Sequence, residues 1–266
     1  MIGSILSLSL IFSPRLSSVY VTVWQVFGYS SVMQSRNKMQ AVILAAGLGT
    51  RMRPLTNTVA KPLLKIGKRT LLDYTFDALP DEVDEVIMVI GYLGEQIKAY
   101  LGDNFRGKKI QYVVQNNLEG TAKALWEAKP LLKGKFVVLM ADDIYAREDI
   151  EKCLQYEQAM LVMKSDRVGP GGNVTLNENG DLREVVEGNE HPAGSLISTN
   201  VFVLSLDFFK YPPLKKAAGS SEYGLPQTVV ELPKNHLVSV VEASRWLKIT
   251  TPEDLKIAEQ LLVAKR

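Results

Sequence analysis

A short apolar run that opens into a glycine-rich, basic loop constrains this chain more than any other stretch. Residues 41–46 read Ala-Val-Ile-Leu-Ala-Ala, the unbroken apolar pattern of a strand buried on both faces of a parallel sheet. Residues 47–55 then read Gly-Leu-Gly-Thr-Arg-Met-Arg-Pro-Leu, and Lys61 and Pro62 follow. Glycine lets a ligand approach the backbone closely, while backbone N–H groups and cations hold anions. The loop therefore predicts a site for a polyphosphate.

The residues before and within this loop carry no negative charge. The first acidic residue of the chain is Asp73, so no carboxylate within the loop repels a phosphate. The loop lacks the Gly-Lys-Ser/Thr ending of a P-loop and the third glycine of a dinucleotide-binding motif. Neither a P-loop NTPase nor a dehydrogenase is therefore indicated.

Charge and cysteine content narrow the class of protein further. The chain has 31 Lys and Arg against 29 Asp and Glu, a net charge of +2. This balance gives no bulk attraction to nucleic acid or to a membrane surface, and we expect a cytoplasmic protein that binds neither. The single cysteine, Cys153, permits neither an internal disulfide nor a cysteine-based zinc site. We expect it to be a buried structural thiol in a helix over residues 150–158.

Residues 1–38 differ in character from the rest of the chain. They contain no acidic residue and many serines, and their apolar run, residues 5–12, is too short to span a membrane. We interpret this segment as a disordered leader or an over-called N-terminal extension, and expect the folded domain to begin at Met39. Residues 39–266 are then predicted to form one domain with two halves, 39–150 and 151–266.

Strand-like and helix-like segments alternate through the first half of this domain. Apolar runs over 84–91, 109–115 and 135–141 predict strands, and the segments between them, 71–79, 95–101 and 121–132, have helical spacing or composition. This alternation predicts an α/β fold with a doubly wound, mostly parallel, Rossmann-like sheet. Ligands of such sheets bind at the carboxyl ends of the strands, where the glycine-rich loop, Gln115 and Asp142 are predicted to lie.

The second half of the domain has a different pattern. Asn179 and Gly180 are a strong turn signal between the strand-like segments 173–177 and 182–186, which predicts a hairpin. Further strands are predicted over 159–164, 196–206 and 237–241, and a short helix over 223–232. Thr251 and Pro252 mark the N-cap and first position of a last helix.

The pattern G-x-G-T-R-x-R-P, with the later Lys-Pro, resembles the sugar-1-phosphate nucleotidylyltransferases. Gln115 followed by Gly120-Thr121-Ala122, and Asp142 after an apolar strand, resemble two further motifs of that family. The resemblance implies a GT-A-like nucleotidyltransferase fold with an inserted β-hairpin part that binds sugar. It makes residues 39–150 a nucleotide-binding half and residues 151–266 a sugar-phosphate-binding half. It also implies an enzyme that transfers a nucleotidyl group from an NTP, with UTP or dTTP favoured, to a sugar-1-phosphate and releases pyrophosphate.

The family roles carry over to individual residues. The resemblance implies that Arg51 contacts the leaving phosphates and that Lys61 lies near the reacting phosphates. It also implies that Asp142 is a ligand of Mg²⁺, the expected cofactor. Asp143, the neighbouring aspartate, suits an N-cap of the next segment better than a metal ligand. The resemblance assigns nucleotide binding to Leu44, Ala45, Ala46, Gly47, Gly49, Thr50, Gln115, Gly120 and Thr121.

Three positions on the sugar and metal side depart from the family pattern. Gly188 stands where the family has a lysine that contacts the sugar phosphate, Asn200 stands for a glycine, and Lys248 stands for a metal-binding aspartate. Our hypothesis is that Lys248 supplies the cation that Gly188 does not, to the sugar phosphate or the α-phosphate. Glu187, Asn200 and Glu222 are predicted to contact sugar hydroxyls.

These departures leave two alternatives open. Besides transfer to a sugar-1-phosphate, the chain could be a nucleotide-binding regulatory protein that lost transfer, or a nucleotidyltransferase for a non-sugar phosphorylated acceptor. The expected partners are an NTP and a sugar-1-phosphate. The sugar, the base and assembly into a homo-oligomer are left undetermined by the sequence.

Overall fold

A ten-stranded mixed sheet is the centre of the computed structural model, which describes residues 38–166, 169–232 and 237–263. The described residues belong to one compact unit, and the predicted leader lies outside them except for Lys38. The strands are β1 (Met39–Ala45), β2 (Lys65–Ile66), β3 (Arg69–Thr70), β4 (Val83–Ile90), β5 (Asn104–Phe105), β6 (Lys108–Val114), β7 (Phe136–Met140), β8 (Ile144–Tyr145), β9 (Ala159–Lys164), β10 (Gly169–Leu176), β11 (Leu182–His191), β12 (Leu196–Leu204), β13 (Ser239–Glu242) and β14 (Trp246–Leu247).

The central strands of the sheet are parallel. Their order is β7-β1-β4-β6, and β1 pairs in register with both of its neighbours, for instance Ile43 with Met88 and Leu139. Apolar runs such as residues 41–44 are buried on both faces of the sheet, as parallel strands require. Because the strands are parallel, their carboxyl ends lie at one edge, which brings the glycine-rich loop, Gln115 and Asp142 to the same side.

Helices cover both faces of this sheet and confirm the doubly wound α/β fold. Side chains of the helices over residues 71–77, 94–101 and 147–153 pack into one hydrophobic core, and those of the helices over 121–128 and 225–230 into the other. No helix of the described residues is long and apolar enough to cross a membrane. The helices are α1 (Leu71–Asp77), α2 (Gly94–Leu101), α3 (Thr121–Ala128), α4 (Arg147–Cys153), α5 (Leu225–Val230) and α6 (Pro252–Val263).

The second half of the chain extends the sheet with antiparallel strands. β12 pairs antiparallel with β7, β9 and β10, and β10 and β11 form the predicted hairpin. The Asn177 side chain accepts hydrogen bonds from the N–H groups of Asn179 and Asp181, both at 2.9 Å, and so closes the turn. The hairpin is longer than predicted, because β10 begins at Gly169 and β11 continues to His191.

Several predicted boundaries were wrong for local reasons. The helix predicted over 121–132 ends at Ala128, because a tight 3₁₀ turn with a proline, Lys129–Leu131, follows it. Helix α4 ends at Cys153 rather than 158, and α1 ends at Asp77 rather than 79. The helix predicted over 223–232 spans only Leu225–Val230, because the residues before it pair as a hairpin.

A buried carboxylate, Glu85, holds the start of β4 to its surroundings. It accepts hydrogen bonds from Gln40 Nε2 at 2.8 Å and Lys133 Nζ at 2.7 Å, and Lys109 Nζ lies 3.2 Å away. Burial opposes ionisation of this carboxyl, but the lysines and Gln40 prevail and lower its pKa from 4.5 to about 2. The ionised Glu85 carboxylate therefore links the amino end of β4 to neighbouring residues, away from the edge that carries the candidate site.

Candidate active site

The carboxyl edge of the parallel strands opens into a cavity of about 840 Å³. A second cavity of about 210 Å³ shares the glycine-rich loop with the first. Every residue that the sequence predicts for the site lines one of the two. The larger is lined by Leu44, Ala46, Gly47, Gly49, Thr50, Arg51, Gln115, Gly120, Thr121, Glu187, Asn200, Glu222 and Lys248, and the smaller adds Ala45, Lys61 and Asp142.

The glycine-rich loop is held in shape by Gly49. This residue has φ +61°, and a Cβ there would lie 3.0 Å from Cγ2 of Thr56, whose hydroxyl donates to the Gly49 carbonyl at 2.8 Å. Within the described chain, the N–H groups of Met52 and Arg53 find acceptors in the loop, whereas those of residues 47–51 have none. The loop can therefore offer successive backbone donors to an anion.

Lys61 and Asp142 form an ion pair between the loop region and the end of β7. The distance from Lys61 Nζ to Asp142 Oδ2 is 2.5 Å, and the side chains are 13% and 24% exposed. The sequence assigns these two groups to different ligands, a phosphate and Mg²⁺. In the protein without ligands they neutralise each other, so a bound polyphosphate with its cation would replace one ion pair by two.

The metal-binding capacity of the site rests on Asp142. The described residues contain no cluster of three or more His, Cys, Asp or Glu side chains that could hold a metal ion. Mg²⁺ keeps several waters and binds through one or two carboxylates together with substrate phosphates. One accessible carboxylate beside an anion-binding loop fits that requirement, whereas a site made of protein ligands alone does not exist among these residues.

Asp143, next in sequence, does not cap a helix, and that prediction was wrong. Helix α4 begins four residues later at Arg147, with Ala146 as its N-cap residue. The buried Asp143 carboxyl accepts hydrogen bonds from Trp246 Nε1 and the Ile249 N–H, both at 3.0 Å. Burial and the nearby Asp142 charge raise the pKa of Asp143 to about 7.

These two hydrogen bonds set the position of Lys248. β14 pairs with β8, and Asp143 holds the residues on either side of Lys248. Lys248 Nζ lies 5.9 Å from the centre of the Trp246 ring, and the side chain lines the larger cavity. The lysine that replaces the family aspartate is thus anchored through its neighbours on the Asp142 side of the site.

Gln115 and Gly120 lie together at the start of α3. The buried Gln115 donates from Nε2 to the Gly120 carbonyl at 3.3 Å. Gly120 has φ +96°, and a Cβ there would lie 2.5 Å from the Tyr223 carbonyl oxygen. The neighbouring Thr121 hydroxyl oxygen accepts from the Leu225 N–H at 3.0 Å. The structure therefore gives this glycine and threonine packing roles against residues 223–225, besides their place beside the cavity.

A second wall of the larger cavity comes from β10, β11 and β12. Asn200 has φ +60°, the left-handed region that asparagine tolerates better than most residues, which accounts for an asparagine where the family has glycine. Gly171, Gly172 and Gly188 also line the cavity. Sequence reasoning missed the first two, although the run Gly169-Pro-Gly-Gly172 was a visible signal.

Sequence reasoning also missed Lys216, a cation that lines the larger cavity. It lies between the predicted strand over 196–206 and the predicted helix over 223–232, where no element was predicted. The larger cavity has three basic lining residues among the described ones, Arg51, Lys216 and Lys248, against two acidic ones, Glu187 and Glu222. Cations on both sides of the cleft suit two phosphorylated ligands.

Comparison with known proteins places this chain in a family. A sequence model of the nucleotidyl transferase family matches residues 40–263. The UTP–glucose-1-phosphate uridylyltransferase AglF of Haloferax volcanii is 30% identical over 84% of this chain and 96% of its own length. The bifunctional protein GlmU of Methanocaldococcus jannaschii is 28% identical over 85% of this chain. This chain spans about half, 55%, of the length of that relative.

A solved structure supports the same fold. The inositol-1-phosphate CTP transferase from T. maritima superposes with a TM-score of 0.66 at 21% identity, covering 85% of this chain and 96% of that one. The chain therefore belongs to the nucleotidyl transferase family, in the group of the sugar-1-phosphate nucleotidyltransferases. This membership agrees with the family resemblance of the loop motif.

Proposed function

We propose that this enzyme transfers a nucleotidyl group from UTP or dTTP to a sugar-1-phosphate and releases pyrophosphate. The observation that carries the proposal is the convergence of the glycine-rich loop, Lys61, Asp142 and Gln115 at one edge of the parallel sheet, across a cavity from a polar second wall. A cavity of about 840 Å³ lies within the range of about 300–1,000 Å³ typical of ligand sites.

The proposed chemistry needs no general base, because the nucleophile is already an anion. An acceptor phosphate oxygen forms a bond to the α-phosphorus of the nucleotide. The bond from that phosphorus to the oxygen bridging to the β-phosphate breaks, and its electron pair leaves on pyrophosphate. Alignment of the two reactants can recover about 7–11 kcal/mol of the barrier, so positioning and charge neutralisation suffice.

Each part of the site has a proposed role in that reaction. Residues 47–51 bind the triphosphate through backbone N–H groups, with Arg51 on the leaving phosphates. Lys61 leaves Asp142 for the reacting phosphates, and Lys248 supplies a further cation. Asp142 would hold Mg²⁺ together with substrate phosphate oxygens, and the ion would neutralise phosphate charge there.

Base and sugar are assigned to opposite walls. The amide of Gln115 can donate and accept at once, which suits the imide edge of uracil or thymine, and the name of the Haloferax relative specifies UTP. Glu187, Asn200 and Glu222 line the acceptor wall and are proposed to bind sugar hydroxyls. Residues 39–150 thus supply the nucleotide half of the site, while residues 151–266 supply the acceptor half and Lys248.

Pyrophosphate release tests the proposal. The full chain is incubated with Mg²⁺, each of UTP, dTTP, CTP and GTP, and a panel of sugar-1-phosphates. Release that requires both substrates, with UTP or dTTP preferred, is the expected result. Arg51→Ala should lower the rate at least about 100-fold. Arg53→Ala, on the same loop but not among the cavity-lining residues, should leave it unchanged.

One result would overturn the proposed reaction, and another would overturn the role proposed for Arg51. If no sugar-1-phosphate supports pyrophosphate release while the protein still binds nucleotide, a regulatory protein or a different phosphorylated acceptor, such as an inositol phosphate, would be favoured. An equal loss in the Arg51 and Arg53 variants would mean that the loop acts through general charge rather than through a defined phosphate contact.

A further inference from the structure

A short hairpin over residues 214–224 brings the unassigned cation Lys216 to the cleft. The Lys216 N–H donates to the Glu222 carbonyl at 2.9 Å, and the Gly224 N–H donates to the Leu214 carbonyl at 2.9 Å. Lys215 and Tyr223 form the bridge between these two bonds. Side chains alternate across such a pair of strands, so Lys216 and Glu222 share one face and both line the larger cavity.

The adjacent lysine of the hairpin is engaged elsewhere. Lys215 Nζ lies 3.8 Å from the centre of the Tyr223 ring and donates to the Ser221 carbonyl at 3.2 Å. Lys216 Nζ, in contrast, is 3.9 Å from the nearest Glu222 carboxylate oxygen, beyond hydrogen-bond distance. Within the part of the chain that the structure describes, no acceptor takes a hydrogen bond from this ammonium, so its three donors are available to a ligand.

The hairpin is tied directly to one wall of the cleft, and the helix that follows it contacts the other. The Tyr223 N–H donates to the Glu119 carbonyl at 2.6 Å, and the Ala122 N–H donates back to the Tyr223 carbonyl at 3.0 Å, which joins the hairpin to the start of α3. Helix α5, which follows the hairpin, contacts the other wall, where the Gln227 amide donates to the Val185 carbonyl of β11 at 3.5 Å. The backbone that carries Lys216 is therefore held between the nucleotide half and the acceptor half.

Lys216 lies on a different structural element from the other two basic residues that line the larger cavity. Arg51 belongs to the glycine-rich loop, and Lys248 is anchored beside Asp143, on the Asp142 side of the site. The cavity-lining residues of β10 and β11, in contrast, are three glycines and Glu187, which offer no positive charge. An acceptor phosphate bound against that wall needs a cation from another element.

We propose that Lys216 binds the phosphate of the acceptor, with the Glu222 carboxylate opposite it on the hairpin binding an adjacent hydroxyl. This inference rests on the proposed function and adds the residue that recognises the acceptor's phosphate group. Lys216 makes an ion pair with the acceptor phosphate and loosens its contact with Glu222. In this proposal the hairpin recognises the acceptor. Nucleotide binding can position the hairpin through its hydrogen bonds with residues 119–122.

The test compares Lys216→Ala, Lys216→Arg and the control Lys210→Ala. Lys210 carries the same charge, is exposed and pairs with Asp207, and it is not among the cavity-lining residues. Pyrophosphate release is measured with glucose 1-phosphate varied at saturating nucleotide, and then with nucleotide varied. Lys216→Ala should raise the acceptor KM at least about 10-fold and leave the nucleotide KM within about 2-fold. Lys216→Arg should restore most of the loss, and Lys210→Ala should match the wild type.

Failure of this inference is distinguishable from failure of the proposed function. Turnover by the wild type with an unchanged acceptor KM in Lys216→Ala would overturn the role of Lys216 alone. If no sugar-1-phosphate is turned over, calorimetric titration of the nucleotide-bound protein with glucose 1-phosphate replaces the kinetic assay. Binding that is lost in Lys216→Ala would then support the phosphate contact although transfer had failed. No binding by the wild type, or equal binding by both, would overturn it.

Discussion

Substitution of Gly120 by alanine should damage both stability and acceptor recognition. Gly120 has φ +96° and ψ 178°, a backbone region that is essentially restricted to glycine. A Cβ there would also lie 2.5 Å from the carbonyl oxygen and 2.8 Å from the nitrogen of Tyr223. Both contacts are to backbone, so no side-chain rotation relieves them. The start of α3 and the hairpin must move apart.

The magnitude follows from two separable costs. A non-glycine residue in this backbone region costs about 2 kcal/mol, and forcing atoms into a packed contact costs about another 2 kcal/mol. Gly102 provides the matched control, because it has φ 59° and ψ −155° but no atom within 4 Å of a Cβ. We expect Gly102→Ala to lower the free energy of unfolding by about 2 kcal/mol and Gly120→Ala by about 4 kcal/mol.

Urea unfolding of the two variants measures the difference, and steady-state pyrophosphate release measures its consequence. Gly120→Ala should raise the acceptor KM, since it separates Tyr223 and the hairpin from residues 119–122, whereas Gly102→Ala should keep wild-type kinetics. Equal stability losses in both variants, with an unchanged acceptor KM in Gly120→Ala, would refute the claim that the Tyr223 contact is rigid and couples the two walls.

Three further predictions address the glycine-rich loop, the Lys61–Asp142 ion pair and the buried Glu85 carboxylate of β4. Gly47→Ala adds a methyl group that meets no atom within 4 Å, so the free energy of unfolding should change by less than about 0.5 kcal/mol. The nucleotide KM should nevertheless rise about 10-fold, and a wild-type KM would contradict backbone binding of the triphosphate. Lys61→Met should lower kcat at least about 100-fold in the same assay, and unchanged turnover would remove Lys61 from the reaction. The Glu85 pKa is lowered from 4.5 to about 2, so its stabilisation of about 3 kcal/mol is complete above pH 6 and is lost as the pH falls through 4.5 towards 2. In urea titrations Glu85→Gln should therefore be less stable than wild type at pH 7 and approach it by pH 2.5, and a pH-independent difference would rule out ionisation as its cause.

The parallel half of the fold and the nucleotide side of the site were predictable from local patterns. Residues 41–46 are buried on both faces, so their composition alone identifies a central strand. The glycine-rich loop could be located because its glycines and basic residues are close together in sequence and directly follow the strand. Parallel strands then force the loop, Gln115 and Asp142 to one edge without any knowledge of side-chain packing.

The acceptor side was harder to predict, because its determinants are distant in sequence. Lys216 reaches the cleft only through a hairpin whose pairing depends on Glu119, Thr121 and Thr228, contacts that leave no periodic signal. Aspartate is a residue type that often caps helices, yet the Asp143 carboxylate accepts hydrogen bonds from Trp246 and Ile249, more than 100 positions later. A single sequence contains the members of such pairs but nothing that links them.

Because Cys153 is buried, the rate at which its thiol is labelled can report local opening of the core. The thiol is 0% exposed within the core under α4, and burial, with the nearby Asp149 charge, raises its pKa to about 12. A thiol reagent can therefore modify it only when that core opens, and the labelling rate measures the opening equilibrium. A cysteine introduced at Ala217, on the hairpin, would be labelled by a fluorophore while Cys153 stays unreactive. Hairpin motion during turnover could then be followed in an otherwise native enzyme.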